Sequence, residues 1–221
     1  LGFLDIKDLL LCGQESMQLR AIANDESLWL KLNLYSRKWR DIPYEFIEKA
    51  AENGCQYLNL YQCDIIGWTG KSESSSFNLK YLNCGKGSGR HTRRSQVGLK
   101  LVQNCSSLQK LSVANLTLDS NDIQYICQNS QTLQVLDLLN CNYDPHNLTE
   151  PLKDLFKNCT HLTELNIGML GSGCVNELLD PQIQALVDNL VPTIWKVDFG
   201  ARYNLQDEPV KKLVNRCNKI T

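Results

Sequence analysis

One short apolar pattern recurs seven times along the chain, which constrains it to stack copies of a single unit. The pattern is apolar, two residues, apolar, one residue, apolar. It reads Trp29, Leu32, Leu34; Cys55, Leu58, Leu60; Leu79, Leu82, Cys84; and Leu108, Leu111, Val113. It continues as Leu133, Leu136, Leu138; Leu162, Leu165, Ile167; and Ile194, Val197, Phe199. The middle anchors fall at 32, 58, 82, 111, 136, 165 and 197, so successive copies lie 24 to 32 residues apart.

The last two apolar residues of each copy alternate with mostly polar ones, which predicts a short strand pointing its anchors inward. A helical return must then carry the chain to the next strand. Ile123, Ile126 and Cys127 share one helical face between Ser120 and Asn129, and Ile183, Leu186, Val187 and Leu190 do so between Pro181 and Leu190. A strand and a return at this period are the marks of leucine-rich repeats. The expected fold is therefore α/β, a leucine-rich-repeat solenoid (horseshoe) with parallel strands on the concave face and helices outside. About seven repeats occupy residues 30–221, truncated at the C-terminus, where Arg216 to Thr221 reads as the approach to another strand.

The ten cysteines run from Cys12 to Cys217 and follow the repeat. Cys63 and Cys141 come just after strands, while Cys105, Cys159 and Cys217 close return segments, so they are expected to be reduced core residues. No CxxC pair occurs and His91, His146 and His161 are isolated, which argues against a metal site. A net charge of -1 gives no global field for nucleic acid, and no stretch has the roughly 20 apolar residues of a membrane span. We expect neither nucleic acid nor membrane as partner, no cofactor, and a cytoplasmic or nuclear location. Sequons beginning at Asn104, Asn115, Asn147 and Asn158 would matter only in a secreted ectodomain.

No catalytic constellation is legible. Gly70-Lys71-Ser72 resembles the end of a phosphate-binding loop, but Ile65 stands where the first glycine is required, and Arg90 takes the last glycine position of a dinucleotide fingerprint starting at Gly85. There is no Gly-x-Ser-x-Gly elbow, and the chain is expected not to be an enzyme.

Binding is the remaining option, and the repeat register says where. Residues alternating with the anchors form columns on the strand face. One column holds Lys31, Tyr57, Tyr81, Lys110, Val135, Glu164 and Lys196. The next holds Asn33, Asn59, Asn83, Ser112, Asp137, Asn166 and Asp198, and a third begins with Tyr35 and Tyr61. Tyr35, Tyr57, Tyr61 and Tyr81, with Asn59, Asn83, Asp137, Asn166 and Asp198, are the candidate partner contacts, because tyrosine joins apolar area to a hydroxyl. The run from Lys86 to Arg94 adds Lys86, Arg90, Arg93 and Arg94, which could grip a phosphorylated or acidic segment or could be a solvated insertion.

Residues 1–29 carry a different signal. Leu4-Asp5-Ile6-Lys7-Asp8-Leu9-Leu10-Leu11 is followed by Arg20-Ala21-Ile22-Ala23-Asn24-Asp25-Glu26-Ser27-Leu28-Trp29 and then directly by repeats. This resembles the second half of an F-box, as in the F-box/leucine-rich-repeat family. The Leu-Pro-x-Glu opening is absent, and Glu15-Ser16-Met17-Gln18-Leu19 stands where that family has Val-Cys-Lys-x-Trp. The resemblance implies a cullin-RING ligase adaptor held through Leu4, Leu9, Leu10, Leu28 and Trp29, and a protein substrate held by the repeats for ubiquitin-dependent degradation. A plain helical cap over the first repeat is the alternative for this segment.

Overall fold

Each apolar triplet forms a short strand, and the strands pair side by side in the order in which they occur. The computed structural model describes residues 25–35, 41–68, 77–86, 97–129, 131–143, 149–169, 180–200, 206–217 and 219–220. In chain order the strands are β1 (Lys31–Asn33), β2 (Asp41–Pro43), β3 (Tyr57–Asn59), β4 (Asp64–Ile66) and β5 (Tyr81–Asn83). They continue as β6 (Lys110–Ser112), β7 (Thr117–Leu118), β8 (Val135–Asp137), β9 (Asn142–Tyr143), β10 (Glu164–Met169) and β11 (Lys196–Gly200).

The main sheet has seven strands in the order β1-β3-β5-β6-β8-β10-β11. Every pairing in it is parallel. The register aligns the middle anchors one upon another, from Leu32 opposite Leu58 to Leu165 opposite Val197. Two further parallel ladders, β2 with β4 and β7 with β9, form where the chain leaves the sheet. The molecule is thus a mixed α/β structure built on parallel strands, with a helical segment in most returns.

Returns run through helices Tyr44–Glu52, Ser120–Cys127, Thr149–Asn158, Asp180–Asn189 and Asp207–Arg216, and through Val97–Lys100 continued by a 3-10 turn over Leu101–Asn104. Successive helices of the C-terminal half pack side by side. Ile123 and Ile126 of one return, and Ile183, Leu186 and Val187 of another, are buried as the helical spacing predicts, with Leu190 buried just beyond its helix. Cys127 is only half-buried at the end of its helix.

The core lies between sheet and helices and holds every anchor of the first six copies. The seventh departs from the pattern. Val197 and Phe199 are half-buried on β11, an edge strand paired only with β10. Trp29 is 1% exposed and packs on Phe46 at a ring separation of 5.5 Å, as a core anchor of the first repeat. Its apolar-pattern position accounts for this. Leu28 is half-buried against the same core, whereas Leu4, Leu9 and Leu10 lie outside the described residues.

The eight described cysteines carry free thiols, six of them buried. Cys63 donates to the Leu34 carbonyl at 3.3 Å and Cys141 to the Val113 carbonyl at 3.2 Å, which ties each turn to the repeat before it. Burial pushes the Cys84, Cys105 and Cys159 thiols up to about 12 and raises Cys141 further. Protonated thiols of this kind are poor nucleophiles and poor metal ligands at neutral pH.

Candidate partner-binding face

The strands turn their anchors into the core, so the residues between anchors form an outward face whose rows follow the register. Lys31, Tyr57, Tyr81, Lys110, Val135, Glu164 and Lys196 stand opposite one another strand by strand. The row from Asn33 to Asp198 does the same.

Tyrosines dominate the N-terminal half. The rings of Tyr57 and Tyr81 stack in parallel, 4.1 Å apart and 4° from coplanar. The Lys31 ammonium lies 4.9 Å from the centre of the Tyr57 ring, a cation-π contact that holds the first position of the row. Tyr35 and Tyr61 form a second pair, 5.3 Å apart and tilted by 52°, with Tyr35 52% exposed. Burial, followed by the neighbouring Tyr57 hydroxyl, pushes the Tyr81 phenol up to about 12, so it remains a neutral hydrogen-bonding group. The four rings therefore form two packed pairs on adjoining strands.

Beyond the tyrosines the third row turns to Gly85, Ala114, Leu139, Gly168 and Gly200. A Cβ added to Gly85 would lie 2.9 Å from the Ala114 carbonyl oxygen, and one added to Gly168 would lie 3.0 Å from the Gly200 nitrogen. At these two positions the neighbouring strand end approaches too closely for a side chain. The amides of Gln62, Lys86, Asn115 and Asn140 extend the backbone ladder across this region, donating to Gly85, Ala114, Leu139 and Gly168 carbonyls.

The asparagine and aspartate row has a role that the sequence reading did not assign. Asn59, Asn83, Asp137, Asn166 and Asp198 each accept, through one side-chain oxygen, the backbone N–H two residues ahead. The donors are Tyr61, Gly85, Leu139, Gly168 and Gly200, at 2.7 to 3.1 Å. These are Asx turns that close the strand ends. Asn59 also donates to Asn33 at 2.9 Å, and Ser112 donates to Asp137 at 2.8 Å. The row is a structural seam first, and only its remaining polar atoms are free to meet a partner. Asn-x-Gly at Asn83 and Asn166 and Asp-x-Gly at Asp198 were the available sequence signals.

Over β8, β10 and β11 the face sinks into a depression of about 190 Å³. Val135, Asp137, Glu164, Asn166, Lys196 and Asp198 line it, with Leu136 and Leu165 at its base. Lys196 pairs with Glu164 at 3.6 Å, leaving two further carboxylates at Asp137 and Asp198. Lys86 is half-buried, and burial draws its ammonium below the usual lysine range. Its carbonyl accepts from the Asn115 side chain at 2.7 Å, while Arg90, Arg93 and Arg94 lie outside the described residues.

Among the described residues no cluster of His, Cys, Asp and Glu could hold a metal ion, and no helix is long and apolar enough to cross a membrane. No protein-family model matches the chain. Among solved structures it is similar to one titled the tropomodulin C-terminal domain, from Caenorhabditis elegans. Identity is 16%, the match spans 64% of this chain and 84% of that one, and the TM-score is 0.43.

Proposed function

We propose that the chain is a leucine-rich-repeat solenoid whose outward strand face holds a protein substrate, as the substrate-recognition subunit of a cullin-RING ubiquitin ligase. The observation that carries the binding part is the tyrosine cluster, two packed ring pairs on the outward strand face, with Tyr35 exposed and the other three half-buried. Aromatic side chains of this kind bury large area at little entropic cost and recur as interface anchors. The ligase part rests on the F-box-like ending from Leu4 to Trp29 and its direct passage into repeats. In this reading the chain positions a substrate in the cytoplasm or nucleus and takes no covalent part in ubiquitin transfer.

A second reading, an intracellular interaction scaffold without adaptor binding, is favoured by one observation: Trp29 is spent on the first repeat's core. Capture of a purified cullin-RING adaptor by the native protein separates the two. Saturable binding lost on replacing Leu9 and Leu10 by Asp supports the ligase subunit. No capture at micromolar adaptor leaves the scaffold.

A further inference from the structure

Two positions of the Asx-turn row carry a charge that the turn bond itself does not require. Asn59, Asn83 and Asn166 close their strand ends with a neutral amide oxygen, and Asp137 and Asp198 make the same bond with a carboxylate. Asparagine would serve the turn equally well at all five places. The turn bond alone does not account for the charges at 137 and 198, although the second Asp137 oxygen also accepts from Ser112, and with Glu164 they put three carboxylates on three neighbouring strands against one compensating Lys196. The N-terminal half has the opposite sign, since Lys31 and Lys110 flank the stacked Tyr57 and Tyr81 and are exposed.

We propose that this face binds an extended polypeptide segment of segregated charge, acidic where it crosses the lysine-flanked tyrosines and basic where it enters the depression over β8, β10 and β11. The proposal rests on the partner-binding reading above and adds the partner's chemistry. Six strand spacings separate β1 from β11, about 29 Å, which is the reach of about nine extended residues. Lys110 lies midway, so the sign should change near the fifth residue. An aromatic residue in the acidic half meets the tyrosine edges, and an arginine or lysine in the basic half meets Asp137, Glu164 and Asp198. Complementarity of this type sets orientation and partner choice more than raw affinity.

The test uses two fluorescent nine-residue peptides of identical composition, one with its Glu and Arg residues in separate blocks around a tyrosine and one with them alternating. Anisotropy titration should show the blocked peptide binding at least about tenfold tighter, with the gap shrinking as salt rises. The double variant Asp137→Asn, Asp198→Asn keeps both turn oxygens, gives up the oxygen that accepts from Ser112, and should erase the gap while the thermal midpoint falls by no more than a few degrees. Equal binding of the two peptides, no binding of either, or a gap that survives in the double variant would overturn the proposal. So would sedimentation showing a dimer of the chain that the double variant dissociates, which would assign the face to a second copy. Failure of the underlying reading looks different, because Tyr61→Ala would then leave capture of any protein partner unchanged.

Discussion

Asp122 shows how one carboxyl is held between opposing demands. It sits in the first turn of the Ser120–Cys127 helix and completes a capping box, accepting the Asp119 amide at 3.0 Å while its own amide donates to the Asp119 side chain at 2.9 Å. It is also 5% exposed, and burial pushes its carboxyl up to about 6, against the hydrogen bond from Asp119 and the charge of Lys100. A carboxyl whose folded value exceeds its unfolded value of 3.8 contributes stability below that value and loses it as pH rises toward 6. Asp122→Asn retains an acceptor oxygen and removes the titration. The variant should match the native chain near pH 4 and exceed it near pH 7 by up to about 2 kcal/mol. Urea unfolding at both pH values measures the difference, and a constant offset would show that Asp122 does not titrate in this window. The polar row is a second case at this scale. Its alternation was legible from the sequence, but its hydrogen bonds were not, because period two places a side chain on a face without saying where its oxygen points.

Among the elements, the strands were the most legible, since period two changes to helical spacing at almost every repeat and the anchors carry the register. The parallel ladders β2 with β4 and β7 with β9 were not anticipated, because two or three residues give no period to detect. The half-burial at β11 also escaped the pattern, which does not register how deeply an anchor sits. Position in the sheet should therefore govern the cost of similar truncations. Leu136 is fully buried between β6 and β10, and Leu136→Ala should cost about 2 to 5 kcal/mol. Val197→Ala, half-buried at the sheet edge, should cost about 1 kcal/mol or less. Denaturant midpoints compare the two directly, and equal losses would show that the edge is as tightly packed as the centre.

For the whole molecule, each repeat packs mainly on its neighbours, and one set of residues builds the stack while the alternate set faces outward. Neighbouring residues should then have opposite phenotypes. Leu60 is buried and Tyr61 stands beside Tyr35 on the outward face. Leu60→Ala should lower the thermal midpoint by several degrees. Tyr61→Ala should leave it nearly unchanged while weakening partner capture about tenfold or more. Calorimetry beside quantitative pull-down decides this, and a Tyr61→Ala chain that unfolds early yet binds normally would remove the face assignment. The sequence could locate this face because the repeat fixes which way each residue points. It could not reveal the stacking of Tyr57 on Tyr81 or the depression over β8 to β11, which depend on contacts between separate repeats.

The buried thiols give the stack an internal clock. Cys55, Cys84, Cys105, Cys141, Cys159 and Cys217 are distributed from the first described repeats to the last return, each protonated and shielded by its own unit. A thiol-reactive reagent reaches one of them only when that unit opens, so the labelling rate at each cysteine records how often its stretch of the array comes apart. Read in order along the chain, those rates would show from which end the stack unzips.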